Sequence, residues 1–174
     1  MSLRVTFAGV ATVAAVVVLG GSPVPAATGR GTAVLQQDTM FLREAHQGNL
    51  TEVAIGKLAE AKGASDAVRS IGATLMADHA KLDMAVREAA RRLDVALPTR
   101  PAQKQRALLE RMSTLSGTAF DRAWLTAMVA DHREDVKKFK TEIREGSSAV
   151  VKEVAKSGLP VIRKHLNELL SAQK

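Results

Sequence analysis

Four histidines occur in this chain of 174 residues, and two of them share one setting. Met76-Ala-Asp-His-Ala-Lys81 is echoed by Met128-Val-Ala-Asp-His-Arg-Glu134, with the two histidines 53 residues apart. Imidazole carries protons near neutral pH and, when neutral, binds metals through a ring nitrogen. Counting 100° per residue along helical patterns, His79 fills the one polar place in the stripe Val68, Ile71, Leu75, Leu82, Val86, Ala89, Leu93. His132 falls amid Leu125, Met128, Val136, Phe139 and Ile143, with Trp124 at the edge. His165 shares a face with Val151, Val154, Ala155, Ile162, Leu166 and Leu169, and Glu52 shares one with Phe41, Ala45, Gly48, Ile55 and Ala59. Four apolar faces thus carry one ionisable group each. A buried carboxylate is costly unless it is paired or bound to a cation. Three imidazole nitrogens and one carboxylate suit a single divalent ion, zinc, iron or manganese, with geometry deciding among them. The competing arrangement is metal-free, with core histidines bonded to carboxylates and backbone.

The neighbouring carboxylates have assignable places. Asp78 and Asp131 precede the two central histidines and point about 100° away from them, toward solvent or a neighbouring helix. Asp83 and Asp135 lie one turn beyond His79 and His132, where they can orient a ring or form a surface pair. Asp121 follows Thr118 by three residues and reads as part of an N-terminal capping box. The residues three before the bundle histidines are Met76, Val129 and Ile162, so the Glu-x-x-His pairs of dinuclear carboxylate bundles are missing and a mononuclear site is expected. Counted from the first turn, Glu52 stands about four residues, on the order of 6 Å, out of level with His79, a gap that tilt or a water must bridge. The chain has no cysteine, no Gly-x-Ser-x-Gly elbow and no phosphate loop, which leaves nucleophilic catalysis without support. A metal-dependent redox reaction is the remaining enzymatic reading.

Four long amphipathic helices must position these groups. The first starts at Asp38 as N-cap and ends near Lys62, after a flexible lead over 28–37. The second opens at Ser65 and runs to about Leu93; the third covers about Ala119 to Arg144; the fourth starts after Gly146 with Ser147 as cap and is interrupted near Gly158-Leu-Pro160. Between the second and third, Asp94 to Thr118 contains Pro98, Pro101 and a short helix over 102–112. That segment spans on the order of 50 Å, enough to cross a bundle end to end. Two hairpins joined by one long crossover give ferritin-like, all-α connectivity over 38–172. In it the second and third helices run parallel, and the two Ala-Asp-His segments appear as the same position of a repeated hairpin.

Residues 1–27 read as a secretory signal. Arg4 provides the positive start, Val5 to Leu19 the apolar run, and Gly20-Gly-Ser-Pro-Val-Pro-Ala-Ala27 the small residues before a cleavage point near Ala26 or Ala27. The apolar run is short for a membrane span, and export to the envelope or beyond is expected. The net charge of +7 suits an anionic envelope surface. Arg87, Arg91, Arg92, Arg100, Lys104, Arg106 and Arg111 form the basic patch that would meet it, in the reading of the chain as a metal-free interaction module. One Trp, four Phe and no Tyr leave few platforms for base stacking, and no nucleic-acid partner is expected.

Five ordered segments carry a resemblance. Phe41…Glu52-Val-Ala-Ile-Gly-Lys-Leu-Ala59, Met76-Ala-Asp-His79, Leu115-Ser-Gly-Thr-Ala-Phe-Asp121, Met128-Val-Ala-Asp-His132 and Leu159-Pro…His165-Leu166 resemble the exported bacterial ferritin-like family known as domain of unknown function 4142, over about Asp38 to Leu170. The resemblance implies a secreted or periplasmic four-helix bundle and no established activity. It points to Glu52, His79, Asp121, His132 and His165, with Asp78 and Asp131 beside them; His46 stands where that family has a small residue.

Overall fold

The computed structural model describes residues 28–174, with side chains from residue 36 onward. The secretory signal expected over 1–27, with its cleavage point, lies outside the described residues. Five helices follow one another: α1 Thr28–Lys62, α2 Asp66–Arg92, α3 Gln103–Ser113, α4 Gly117–Glu145 and α5 Ala149–Ala172. Among the described residues there is no strand, only an isolated backbone bridge between Gly63 and Gly117. That bridge sets the start of α4 beside the α1–α2 turn, so 93–116 carries the chain back to the end at which α2 began.

The long helices pack as α1 on α2 and α4 on α5, and the two pairs meet through α2 with α5 and α1 with α4. Two reciprocal clasps lock the pairs together. The Asp38 carboxylate accepts from the backbone N–H of Ser147 at 3.1 Å and of Ser148 at 3.1 and 3.2 Å, and from the Ser147 hydroxyl. The Asp121 carboxylate accepts from the N–H of Ala64 and of Ser65, both at 2.9 Å. The same 83 residues separate Asp38 from Asp121, Ala64 from Ser147 and Ser65 from Ser148. Each hairpin therefore supplies an acid to the helix start of the other, where free N–H groups favour negative charge.

These clasps correct three expectations. Helix α1 begins at Thr28, so 28–37 continues it, and Asp38 caps α5 across the fold. Asp121 belongs to no local capping box: α4 starts at Gly117 after Ser116, and the Asp121 carboxylate is taken by the α1–α2 turn. The cap of α5 is Ser148, whose hydroxyl accepts from Val151 N–H at 3.4 Å, while Ser147 serves Asp38. Helix α5 also runs unbroken through Pro160, which forfeits one helix hydrogen bond while its buried face, Ala155, Gly158 and Ile162, keeps it seated.

The apolar core falls into two blocks. One gathers Ile55, Ala59, Val68, Leu75, Met112, Phe120, Trp124, Met128 and Leu169 near the α1–α2 turn, with Trp124 Nε1–H donating to the Ile55 carbonyl at 3.2 Å. The other gathers Phe41, Leu42, Val86, Ala89, Phe139, Val151, Ala155 and Ile162 at the opposite end. Along every long helix the gap between the blocks holds the ionisable residue: Glu52, His79, His132 and His165.

Register between α1 and α2 is set by backbone contact at Gly56 and Gly72. A Cβ on Gly72 would meet Ala59 Cβ at 2.6 Å and the Gly56 carbonyl oxygen at 2.8 Å, whereas a Cβ on Gly48 would meet nothing within 4 Å. Gly72→Ala is expected to destabilise by about 1–3 kcal/mol through overpacking. Gly48→Ala is expected to stabilise by about 0.5–1 kcal/mol through helix propensity. Urea midpoints at constant m-value compare the two, and equal or inverted shifts would overturn this account of the hairpin.

Candidate metal centre

Each long helix delivers its group to one layer, and the layer closes around three imidazoles. His79, His132 and His165 are all buried, and each offers a ring nitrogen within 4.8 Å of those of the other two. Their ring centroids are 5.3 to 5.7 Å apart. Glu52, fully buried, joins them: Oε2 lies against His79 Nε2, and Oε1 is 3.2 Å from His132 Nδ1. Neither approach has the angles of a hydrogen bond, and both carboxylate oxygens are without a hydrogen-bond partner. The expected difference in level between Glu52 and His79 is overturned. Helical side chains lean toward their own N-terminus, so on two antiparallel helices these two lean toward each other.

One nitrogen of every ring is anchored. His79 Nδ1–H donates to Asn49 Oδ1 at 2.9 Å, His132 Nδ1–H to the Met128 carbonyl at 3.0 Å, and His165 Nε2–H to Asp78 Oδ2 at 3.1 Å. Each acceptor takes a proton and gives none, which fixes the tautomer and turns the other nitrogen into a lone pair. Those other nitrogens, His79 Nε2, His132 Nε2 and His165 Nδ1, are buried and have no hydrogen-bond partner. Such outer anchoring is what metal-ligating histidines characteristically have.

Burial sets the charge states. It pushes His79 down to about 4, against the raising effect of Asp135, Asp131 and Asp78. It pushes His132 down to about 3, helped by His79 and His165, and lowers His165 despite its bond to Asp78. Near neutrality the three rings are uncharged and their lone pairs are open to a cation. Burial, with the charge of Asp131, raises Glu52 well above the carboxylate range, and burial, with Glu52 and Asp131, pushes Asp135 up to about 7.

The remaining candidates separate cleanly. Asp131 and Asp135 gather with Glu52, each offering an oxygen within 4.8 Å of the others. Asp78 anchors His165 and is partly open to solvent. Asp121 stands at the clasp, outside the layer. Asp83 does not orient His79; it pairs with the buried His46, whose Nδ1–H donates to it at 2.6 Å. Asn49 is the residue that sequence reasoning missed, and its signal was present: an amide three residues before Glu52 on the same face of α1. The seven basic residues of the predicted patch are all exposed, and Glu88 engages Arg91 and Arg92.

Glu52→Gln tests the cost of this carboxyl. In metal-free protein a raised carboxyl favours the folded state less as pH rises above 4.5, its unfolded value. The Gln variant has no such loss. With chelator present it is expected to be more stable than the wild type at pH 8, by on the order of 1–3 kcal/mol, and the difference should shrink toward pH 4.5. Urea unfolding across that range checks it, and a pH-independent difference would contradict the assignment.

No curated protein and no solved structure matches the chain. A family model described as domain of unknown function (DUF4142) matches residues 23–171.

Proposed function

The chain belongs to the DUF4142 family, a domain of unknown function, and from this premise we propose that it is an exported, ferritin-like four-helix bundle that holds one divalent metal ion in its core. The observation that carries the reading is the set of three buried ring nitrogens without a hydrogen-bond partner, each on a ring tied down by its other nitrogen. In this reading His79 Nε2, His132 Nε2 and His165 Nδ1 are the nitrogen ligands and Glu52 is the carboxylate ligand. Nitrogen donors with one carboxylate suit zinc, iron(II) or manganese(II). The neutral rings lose no proton on binding, and the cation offsets the charge of Glu52. The role is metal binding in the envelope. The family description supplies no reaction.

Ferritin-like describes the connectivity: two hairpins joined by the segment that holds α3, with α2 and α4 parallel on one diagonal. Export rests on the Arg4, apolar and Pro-Ala-Ala succession at the start of the sequence. Intact-mass measurement of the exported protein is expected to place its first residue near Ala27 or Thr28, and retention of residues 1–25 would overturn export by a cleaved signal.

Metal analysis tests the core of the reading. Protein purified without a histidine tag, stripped and titrated with zinc, iron(II) or manganese(II), is expected to bind one ion at the imidazoles. It should gain about 2.7 kcal/mol when free metal is 100 times Kd. His132→Ala should abolish the gain from zinc, and His46→Ala should leave it intact. Identical melting with and without chelator, and no binding at micromolar metal, would overturn the centre.

A further inference from the structure

Glu52 faces two ways. Toward α2 it meets His79; toward α4 it meets His132 on one side and Asp131 and Asp135 on the other, and the three carboxyl groups each offer an oxygen within 4.8 Å of the others. Acidic residues gathered on a surface mean little, but this group is built around a fully buried carboxylate with neither oxygen in a hydrogen bond. Asp131 and Asp135 stand one turn apart on α4, so both reach the same side of Glu52. Glu52 and Asp135 are also separated by the 83 residues that relate the two clasps. They are therefore equivalent positions of the two hairpins, brought face to face where the hairpins meet.

We propose that Glu52, Asp131 and Asp135 form a second cation subsite, with the Glu52 carboxylate bridging it to the ion at the imidazoles. The bridging rests on the metal reading given above; the oxygen subsite rests on its own donors. The two subsites differ in chemistry. Three nitrogens favour zinc or iron, whereas an all-oxygen set favours a harder ion such as manganese(II), magnesium or calcium. Two divalent cations bring four positive charges, met by the carboxylates of Glu52, Asp131 and Asp135 and by that of Asp78 behind His165. Access is by way of Asp135, which lines a cavity of about 260 Å³ between α1 and α4 together with Gln37, Phe41, Glu44 and Lys138. Lys138 Nζ stands 3.5 Å from Asp135 and 3.7 Å from Glu44. Its ammonium occupies the rim of the subsite and competes with an arriving cation.

The test loads the full chain with one equivalent of zinc and then titrates manganese(II), counting both metals per chain by mass spectrometry and following manganese by electron paramagnetic resonance. The expected result is one zinc and one tightly held manganese. Asp131→Asn with Asp135→Asn should keep the zinc and weaken manganese binding at least tenfold. Lys138→Gln, which touches no ligand of the imidazole site, should tighten manganese several-fold. One zinc with no manganese in the wild type would overturn the second subsite and leave the imidazole centre standing. Manganese without zinc would support the oxygen subsite and overturn the imidazole centre. Because the wild-type count decides, a variant that fails to fold does not remove the test.

Discussion

Four ionisable groups removed from water in one layer are the constraint around which this fold is organised. Glu52, His79, His132 and His165 divide the apolar core into two blocks and carry the cost of desolvation in the gap between them. The protein resolves part of that cost by charge state, since burial keeps the rings neutral and drives the carboxyl toward its protonated form. The two resolutions pull against each other. Acid conditions favour the neutral carboxyl and threaten the rings, and alkaline conditions do the reverse. In the metal-binding reading proposed above a cation reconciles them, because it takes the lone pairs of neutral rings and favours an ionised carboxylate at the same pH.

The scaffold holding this layer is symmetric where the layer is not. Asp38 with Ser147 and Ser148, and Asp121 with Ala64 and Ser65, repeat one clasp at a constant offset of 83 residues. At the same offset His132 corresponds to Asn49, His79 to Ile162 and His165 to Leu82. The two Ala-Asp-His segments, expected as one position of a repeated hairpin, are thus not equivalent: one lies on the second helix of its hairpin and the other on the first. They reach the same level because α2 and α4 run parallel. The repeated clasp sets helix level, and the residues at matching positions differ, with imidazoles on α2, α4 and α5 and the grouped carboxyls on α1 and α4.

The helices and their inward faces were legible because hydrophobic periodicity is local. So was the appearance of one ionisable residue on each face, since each interrupts a stripe. What escaped depended on partners far away in sequence. Asp121 sits three residues after a threonine, and nothing nearby reveals that its carboxylate serves a turn 56 residues upstream. Asp83 has the spacing of a ring-orienting acid for His79, yet His46 claims it across the α1–α2 contact. The level of Glu52 with His79 depends on side-chain lean and on the Gly56–Gly72 contact, neither of which appears when residues are counted from a turn. The start of α1 and the continuity of α5 through Pro160 were misjudged for a common reason: a capping or breaking residue acts only if the tertiary structure leaves it that task.

The anchors of the three rings add a graded electrostatic design. Asn49 is a neutral acceptor, the Met128 carbonyl is a backbone dipole, and Asp78 is a carboxylate that still touches solvent. A charged acceptor strengthens its ring as a donor more than a neutral one does, so His165 is the most basic of the three lone pairs and His79 the least assisted by its anchor. Glu52 compensates on that side, since its Oε2 lies against His79. Carboxyl groups therefore stand at both edges of the triad, the ionised Asp78 behind His165 and the burial-neutralised Glu52 beside His79, while the excess positive charge of the chain includes seven exposed basic residues from α2 through α3. The interior is a nitrogen- and carboxyl-lined site inside a cationic protein. In the metal-binding reading proposed above, that surface repels free cations at long range, and Glu44 and Asp135 beside the α1–α4 cavity offset the repulsion locally.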